Sequence, residues 1–243
     1  MLIPGMVSAT FRSLPASEVL SLCQKANLSS IEWSEGNHVR LGEDDQAKEL
    51  AIRCNGEGVS VVALGSYYKL GMGMDFHPVL SLAKAIGAPL IRIWAGTKPS
   101  VAVDASEFSA LAAEAEMVGK AAKEEGMTVA YEWHKNSLTD TNASAMRLLE
   151  ATPSCDTLWQ PTVALSPDER CDGLSHLGTR LRNLHVYYWD DEGKRRPLSE
   201  GKDLWQRYFA TVSGDHHVLL EFVMDNSPER FLEDAKTLEG MVR

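Results

Sequence analysis

The chain has 243 residues, of which 44% are hydrophobic and 24% are charged, and its formal net charge is −10. This composition is typical of a globular protein with a large core and disfavours a disordered chain. The negative charge disfavours binding to a nucleic acid backbone or to an anionic membrane, because it supplies no general attraction to a polyanion. A small neutral substrate fits this charge better.

Features of targeting segments are absent from the sequence. No apolar stretch approaches the roughly 20 residues that a transmembrane helix needs. The start, MLIPGMVSATF, lacks the charged and apolar regions of a signal peptide. We therefore expect a cytoplasmic protein.

Short apolar runs rich in β-branched and aromatic residues recur about every 30 residues, with segments of helical periodicity between them. Each run is nearly continuous in apolar character, as expected for a strand that is covered on both faces. The predicted strands are Met6–Phe11, Ser30–Trp33, Val59–Leu64, Leu90–Trp94, Met127–Trp133, Thr157–Gln160, Leu184–Tyr188 and Val218–Val223.

The segments between these runs carry helix signals. Val19, Leu20 and Cys23 share one face of a helix after the first strand. Ser166–Glu169 place a capping serine, a first-turn proline and a reciprocal glutamate at the start of a later helix. Asp104 with Glu107 repeats the spacing of a capping box.

Strands and helices thus alternate through the whole chain, with no linker or change of composition. We predict one domain over residues 1–243, an α/β fold of the (β/α)8 TIM barrel type. A doubly wound open sheet is the alternative. It is disfavoured because no glycine-rich phosphate-binding motif follows the first strand, whereas polar residues end several different strands.

Those polar residues lie where the apolar strands end. Glu132 and His134 lie in the motif AYEWH, Gln160 lies in LWQP, His185 lies in NLHVYYW and Glu221 lies in LLEFV. In a barrel, the carboxyl ends of all strands meet around one mouth. These side chains are therefore predicted to converge on a single site.

Two carboxylates at one mouth repel each other unless a positive group neutralises them. One divalent metal ion, Mn, Mg, Co or Zn, would do so, and carboxylate, imidazole and amide groups suit such an ion. The alternative is that Glu132 and Glu221 form structural ion pairs with arginines. Four polar residues on successive strands favour a site over that alternative.

The chain resembles the xylose isomerase-like TIM barrel superfamily of sugar isomerases and epimerases over essentially its whole length. The motifs that carry the resemblance are IEWSEGNHV, LGSYYKLG, AKAIGAPLIRIWAG, YEWHKNSLTDT, WQP, LHVYYW, PLSEGKDLW and LLEFV.

The resemblance implies that Glu132, Gln160, His185 and Glu221 bind one divalent metal. It also implies that Glu132 and Glu221 act as the acid and base that move a proton beside a carbonyl. Two departures stand out. Many relatives have aspartate at the position of Gln160 and a histidine shortly after it, and WQPTVALSPDE contains none. Aromatic residues at 187–189 replace the lysine and aspartate common in relatives.

Further candidates surround this site. Arg92 and Trp94 lie two apart in LIRIWAG, so both can point to one face of the fourth strand. Arg92 is either a substrate-binding residue or the ion-pair partner of Glu32 or Glu132. Tyr67, His38 and His134 lie at the ends of strands or in the loops after them, where a barrel places binding residues.

The sequence favours a metal-dependent isomerase or epimerase for a small carbohydrate. A dehydratase on the same fold is the first alternative, and a non-catalytic sugar-binding barrel is the second. An endonuclease is disfavoured, because such enzymes need more histidine and acidic ligands than this chain offers. A homo-oligomer is expected only by analogy with relatives.

Overall fold

The computed structural model describes residues 1–162 and 164–242, and within them eight parallel strands pair in chain order and close into a barrel. The strands are β1 (Leu2–Val7), β2 (Ser30–Ser34), β3 (Ser60–Lys69), β4 (Leu90–Trp94), β5 (Thr128–Glu132), β6 (Cys155–Trp159), β7 (Leu181–Val186) and β8 (His216–Leu220). The helices are α1 (Ala16–Lys25), α2 (Asp44–Gly56), α3 (His77–Ile86), α4 (Ala105–Glu124), α5 (Asn142–Ala151), α6 (Pro167–Ser175), α7 (Lys202–Thr211) and α8 (Pro228–Val242). This is the predicted (β/α)8 TIM barrel.

The apolar face of each helix packs on the barrel, as its sequence period requires. Val19, Leu20 and Cys23 of α1 are fully buried. The predicted capping signals are confirmed: Ser166 and Glu169 form a capping box at α6, and the Asp104 side chain accepts from the Glu107 N–H at α4. Local sequence therefore determines where these helices begin.

The first strand was predicted too late in the chain. It occupies Leu2–Val7, whereas Ser8–Phe11 form a 3-10 turn after it. Leu2 to Met6 pair in parallel with β8, from His216 to Leu220, and so close the barrel. Pro4 and Gly5 hid this strand because both are poor strand formers. Gly5 is required there, since a Cβ would collide with the side chain of Ser30.

The bounds of the other strands agree with the prediction to different degrees. The predicted bounds of β4 are correct, while β3 is longer than predicted and β7 begins and ends earlier.

The ends of the strands place three polar residues at the mouth of the barrel. Glu132 is the last residue of β5, and Gln160 and Glu221 each follow directly after their strands, β6 and β8. These three residues therefore lie at the same end of the barrel.

In the part of the chain that the structure describes, no helix has both the length and the apolar character needed to cross a membrane.

Candidate active site

A cavity of about 260 Å³ opens at the carboxyl ends of the strands, and we call it the cup. Arg92, Trp94, Glu132, Gln160 and Glu221 are among the residues that line it. The convergence that the strand-end pattern predicted is therefore present. His185 belongs to the same cluster but lies beneath the cup, with no exposed surface.

Arg92 on β4 is the central cation of this cluster. Its Nη1 donates to Glu132 Oε2 at 2.6 Å, and its Nε donates to Glu32 Oε1 at 3.0 Å. The arginine is only 5% exposed, so both bonds lie in a region of low dielectric. Of the two roles that the sequence left open for Arg92, the ion-pair role is observed, with both glutamates at once.

Arg92 reaches Glu32 by crossing over β3, which lies between their strands. Gly65 of β3 pairs with Arg92 in the sheet register. A Cβ at Gly65 would lie 2.5 Å from Arg92 Nη2 and 2.5 Å from Glu32 Oε1. The absent side chain thus makes the space in which the guanidinium and the carboxylate meet.

His185 and Glu32 form a second buried pair below the cup. His185 Nε2 lies 3.0 Å from Glu32 Oε2, and His185 Nδ1 lies 3.4 Å from Glu221 Oε2. Burial lowers the pKa of His185, but the carboxylates of Glu32 and Glu221 outweigh this and raise it to about 10. Burial raises the pKa of Glu32, but His185 and Arg92 outweigh it and lower the pKa to about 2. At neutral pH, His185 is a cation and Glu32 is an anion.

Gln160 faces Glu132 with its amide nitrogen. Nε2 donates to Glu132 Oε1 at 3.0 Å and to the backbone carbonyl of Trp133 at 2.7 Å. Both partners are pure acceptors, so the amide must present its N–H groups to them. The two carboxylate oxygens of Glu132 are therefore both engaged, one by Gln160 and one by Arg92.

Glu221 is the least engaged carboxylate of the cluster. Its Oε2 is buried and makes no hydrogen bond to any residue that the structure describes. The nearest charged partner is His185, whose Nδ1 is likewise buried and unbonded within the described chain. Glu221 also lines the cup, while its Oε2 lies on the side of His185 and is shielded from solvent.

The donor set of the cup does not fit the divalent ion that the resemblance implies. Glu132 is paired with a guanidinium, and Gln160 turns its amide nitrogen toward Glu132. Within residues 1–162 and 164–242, no group of three or more His, Cys, Asp and Glu side chains has an arrangement that would hold a metal. The four expected ligands lie in one cluster, in which Glu132 pairs with Arg92 and Gln160, and Glu221 lies beside His185.

Aromatic rings form one wall of the cup. Trp94 and His134 pack against each other with ring centroids 4.4 Å apart and a tilt of 46°, and Lys69 Nζ lies 4.8 Å from the centre of the Trp94 ring. Tyr187 and Trp189 line the cup as well, with ring centroids 5.3 Å apart. The aromatic segment at 187–189 thus contributes two of its three rings to the cup, and apolar ring faces of this kind suit the C–H face of a sugar.

The remaining predicted binding residues have different positions. Tyr67 lines the cup. His38 does not: its Nε2 lies 3.1 Å from the Phe11 carbonyl, and its ring packs beside Trp33. Burial lowers the pKa of His38. The structure therefore places His38 behind the wall of the cup rather than in it.

Two features of the site escaped the sequence analysis. Glu32 was noted only as a possible partner of Arg92, although a carboxylate inside the apolar run SIEWS carries the same signal as Glu132. Phe222 follows Glu221 with a left-handed φ of 50°, and it lines the cup beside Arg12. No sequence signal marks a phenylalanine for this conformation, which only glycine adopts readily.

Comparison with known proteins identifies the fold. No family model matches the sequence, and no curated protein matches it. Among solved structures, the probable 3-DHS dehydratase AsbF of Bacillus anthracis has a TM-score of 0.81 at 16% identity, covering 98% of this chain and 99% of that chain.

Two further solved structures are similar over nearly their full lengths. An L-ribulose 3-epimerase has a TM-score of 0.75 at 15% identity, covering 99% of this chain and 94% of its own. The IolI protein, described with a bound zinc atom, has a TM-score of 0.75 at 13% identity, covering 99% and 98%. The chain therefore has the fold of the xylose isomerase-like TIM barrels, and the resemblance seen in the sequence is confirmed at the level of fold.

Proposed function

We propose that this protein is a sugar isomerase or epimerase that moves a proton next to the carbonyl of a small polyhydroxylated substrate. The observation that carries the proposal is that two carboxylates from different strands, Glu132 and Glu221, line one cup together with the guanidinium of Arg92. Proton abstraction beside a carbonyl needs a base at the carbon and positive charge at the oxygen. The cup holds both kinds of group.

Glu221 is the proposed base. Its carboxylate, which lines the cup, removes the carbon-bound proton, and the electron pair of the C–H bond forms a C=C bond to the carbonyl carbon. The carbonyl π electrons move to oxygen and give an enediolate. Glu132 is the proposed second proton-transfer group. Return of a proton to the former carbonyl carbon, with the hydroxyl proton of the other carbon passing to the former carbonyl oxygen, gives isomerisation. Return of a proton to the opposite face of the original carbon gives epimerisation.

The wall of the cup supports a carbohydrate as the substrate. The tilted pair Trp94 and His134 presents an aromatic surface next to polar groups that can bond hydroxyls. Burial lowers the pKa of His134, so this ring is neutral at physiological pH and can either donate or accept. A cavity of about 260 Å³ suits a small carbohydrate.

A dehydratase is the second candidate, and a specific observation favours it. The probable 3-DHS dehydratase AsbF has the same fold over nearly the whole chain. The same base would form the same enediolate, which would then expel the hydroxyl of the next carbon as water, with the proton that Glu221 removed passing to the leaving oxygen. The L-ribulose 3-epimerase supports the leading proposal in the same way.

The test is hydrogen exchange in D2O, followed by proton NMR over a panel of ketoses and aldoses. We expect deuterium to enter the carbon beside the carbonyl of at least one sugar, and Glu221→Gln to stop this exchange. Glu49→Gln, at an exposed position on α2, is the matched control and retains the wild-type rate. The product distinguishes an epimer, an aldose–ketose isomer and a dehydrated ketone.

Binding of a sugar by calorimetry with no exchange and no product would contradict the enzymatic proposal. That result would instead identify a non-catalytic sugar-binding barrel, the alternative that the sequence left open.

A further inference from the structure

The cluster already contains a permanent cation. Arg92 forms buried ion pairs with Glu32 and Glu132, at 3.0 Å and 2.6 Å. A divalent ion would be needed if these carboxylates met without a cation. Instead, the guanidinium lies between Glu32 on one side and Glu132 on the other.

Each oxygen of Glu132 already accepts a hydrogen bond. Arg92 donates to Oε2 and Gln160 donates to Oε1. Turning the Gln160 amide over, so that its oxygen took the place of Nε2, would set that oxygen against the Glu132 carboxylate and the Trp133 carbonyl. Two hydrogen bonds would be lost and two acceptor pairs would be brought together. These two acceptors therefore fix the orientation of the Gln160 amide, as expected where Arg92 supplies the positive charge beside Glu132.

The barrel is also shaped for Arg92. The missing side chain at Gly65 makes the passage over β3, and Glu32 at the far side is itself held by His185. The guanidinium is fixed at two of its nitrogens by buried carboxylates. Such a fixed cation is preorganised, so it needs no rearrangement when negative charge develops nearby.

We infer that Arg92 replaces the divalent metal ion of this site, so that a guanidinium supplies the positive charge at the floor of the cup. The inference has two parts. The structural part, that the cup takes no metal, stands on the contacts of Arg92 and Gln160 alone. The catalytic part, that Arg92 stabilises the enediolate oxygen, rests on the proposed function.

The structural part is tested by titrating MnCl2 and, separately, ZnCl2 into the EDTA-treated and dialysed wild-type protein by calorimetry, with elemental analysis of the protein as purified. We expect no stoichiometric uptake of either ion. One equivalent of metal per chain, lost in both Glu132→Gln and Glu221→Gln, would overturn the inference. This measurement needs no substrate, so it decides the structural part even if no sugar undergoes exchange.

The catalytic part is tested with the exchange assay. The wild-type rate should stay within about 2-fold in EDTA, and Arg92→Met should lower it by about 10²–10³-fold, the usual effect of removing one oxyanion-stabilising group. Arg92→Lys should restore part of the rate, because an ammonium keeps the charge but not the two-armed geometry. Arg53→Ala, at an exposed arginine of α2, is the control.

Loss of exchange in EDTA with recovery on MnCl2 would overturn the catalytic part. If Arg92→Met fails to fold, the effect of EDTA on the wild-type enzyme still decides the question. Absence of exchange with every sugar would count against the proposed function and leave the metal titration as the test of the structural part.

Discussion

Glu132 Oε2 lies 2.6 Å from Nη1 of Arg92, and this contact determines which positive group the cup contains. A buried carboxylate that already has a guanidinium is neutralised and hydrogen-bonded, so it needs no ion. The four residues that the resemblance assigns to a metal lie on β5 to β8 or directly after them, and Arg92 of β4 pairs with Glu132. The same barrel fold can therefore carry different charged groups at its mouth.

Replacement of Glu221 by glutamine should abolish turnover. The amide cannot accept a carbon-bound proton, and loss of a general base lowers a rate by about 10²–10⁴-fold. Steady-state kinetics on the sugar found by the exchange assay gives the measurement. The folded state should be preserved, because glutamine has nearly the same shape as glutamate.

His216→Ala is the contrasting variant. His216 begins β8 at the opposite end of the barrel, where its ring lies within hydrogen-bond distance of the backbone carbonyls of Arg182 and Ser213. Its loss should lower the free energy of unfolding by about 1–3 kcal/mol and leave kcat within about 2-fold. Equal losses of activity in Glu221→Gln and His216→Ala would contradict the geometry of the site.

Gly65→Ala should disturb the ion pair of Arg92 and Glu32 although it removes no polar group. A Cβ at this position would lie 2.5 Å from both Arg92 Nη2 and Glu32 Oε1, so the ion pair must shift. We expect a loss of about 1–3 kcal/mol in the free energy of unfolding, together with reduced turnover. Urea denaturation and the kinetic assay measure these two effects.

Gly56→Ala is the matched control for this glycine. Gly56 is the last residue of α2, and a Cβ there would meet no atom within 4 Å. The control should be neutral or slightly stabilising, since alanine is a better helix former than glycine. An equally mild effect of Gly65→Ala would show that the passage over β3 is not needed.

His134→Ala should weaken substrate binding more than the chemical step. His134 packs against Trp94 at the wall of the cup, with ring centroids 4.4 Å apart, whereas the proposed proton-transfer groups are Glu221 and Glu132. Loss of one hydrogen bond to a neutral hydroxyl corresponds to about 1 kcal/mol, or about 5-fold in KM. His176→Ala, at an exposed histidine after α6, should leave both constants unchanged.

Asp234 gives a prediction about pH. This carboxyl on α8 accepts from the Leu198 N–H at 3.0 Å and is 3% exposed. Burial, the largest cause, raises its pKa from 3.8 to about 6, against the opposing effects of that hydrogen bond and of Arg230. Between these two values the folded state binds more protons than the unfolded state. The contribution of Asp234 to stability is therefore present at low pH and is lost as the pH rises through about 6.

Asp234→Asn removes this titration while keeping an acceptor for Leu198. The free energy of unfolding of the variant, measured relative to wild type, should rise by about 1–3 kcal/mol between pH 4 and pH 7.5. Chemical denaturation at a series of pH values gives the comparison. A difference that does not change with pH would show that Asp234 does not titrate in this range.

The architecture was predictable because it depends on local periodicity. Apolar runs, capping residues and the spacing of strands indicate a barrel without any knowledge of contacts between distant residues. The barrel in turn predicts that Gln160 and Glu221 meet at one mouth, since each follows directly after a strand. The largest shift is at the first strand, where Pro4 and Gly5 interrupt the apolar pattern, and the bounds of β3, β7 and β8 also differ from the prediction.

The same patterns offered Glu32 and Glu132 as possible partners of Arg92 but could not tell that it pairs with both. Its partners are on β2 and β5, and β3 separates Arg92 from Glu32, so the contact depends on the missing side chain at Gly65. The two-residue alternation of a strand tells which face of the sheet a side chain points to. It does not tell which side chain of another strand it will contact. The position of His38 outside the cup could not be predicted for a related reason. His38 lies in a loop, where no periodic pattern tells which way its side chain points.

Diffraction from crystals soaked in MnCl2, recorded to detect the anomalous signal of manganese, tests the central claim most directly. We predict that Arg92 bridges Glu32 and Glu132 as before and that the cup shows no manganese peak. A manganese peak within bonding distance of Glu132 and Glu221, with the guanidinium displaced, would contradict the account.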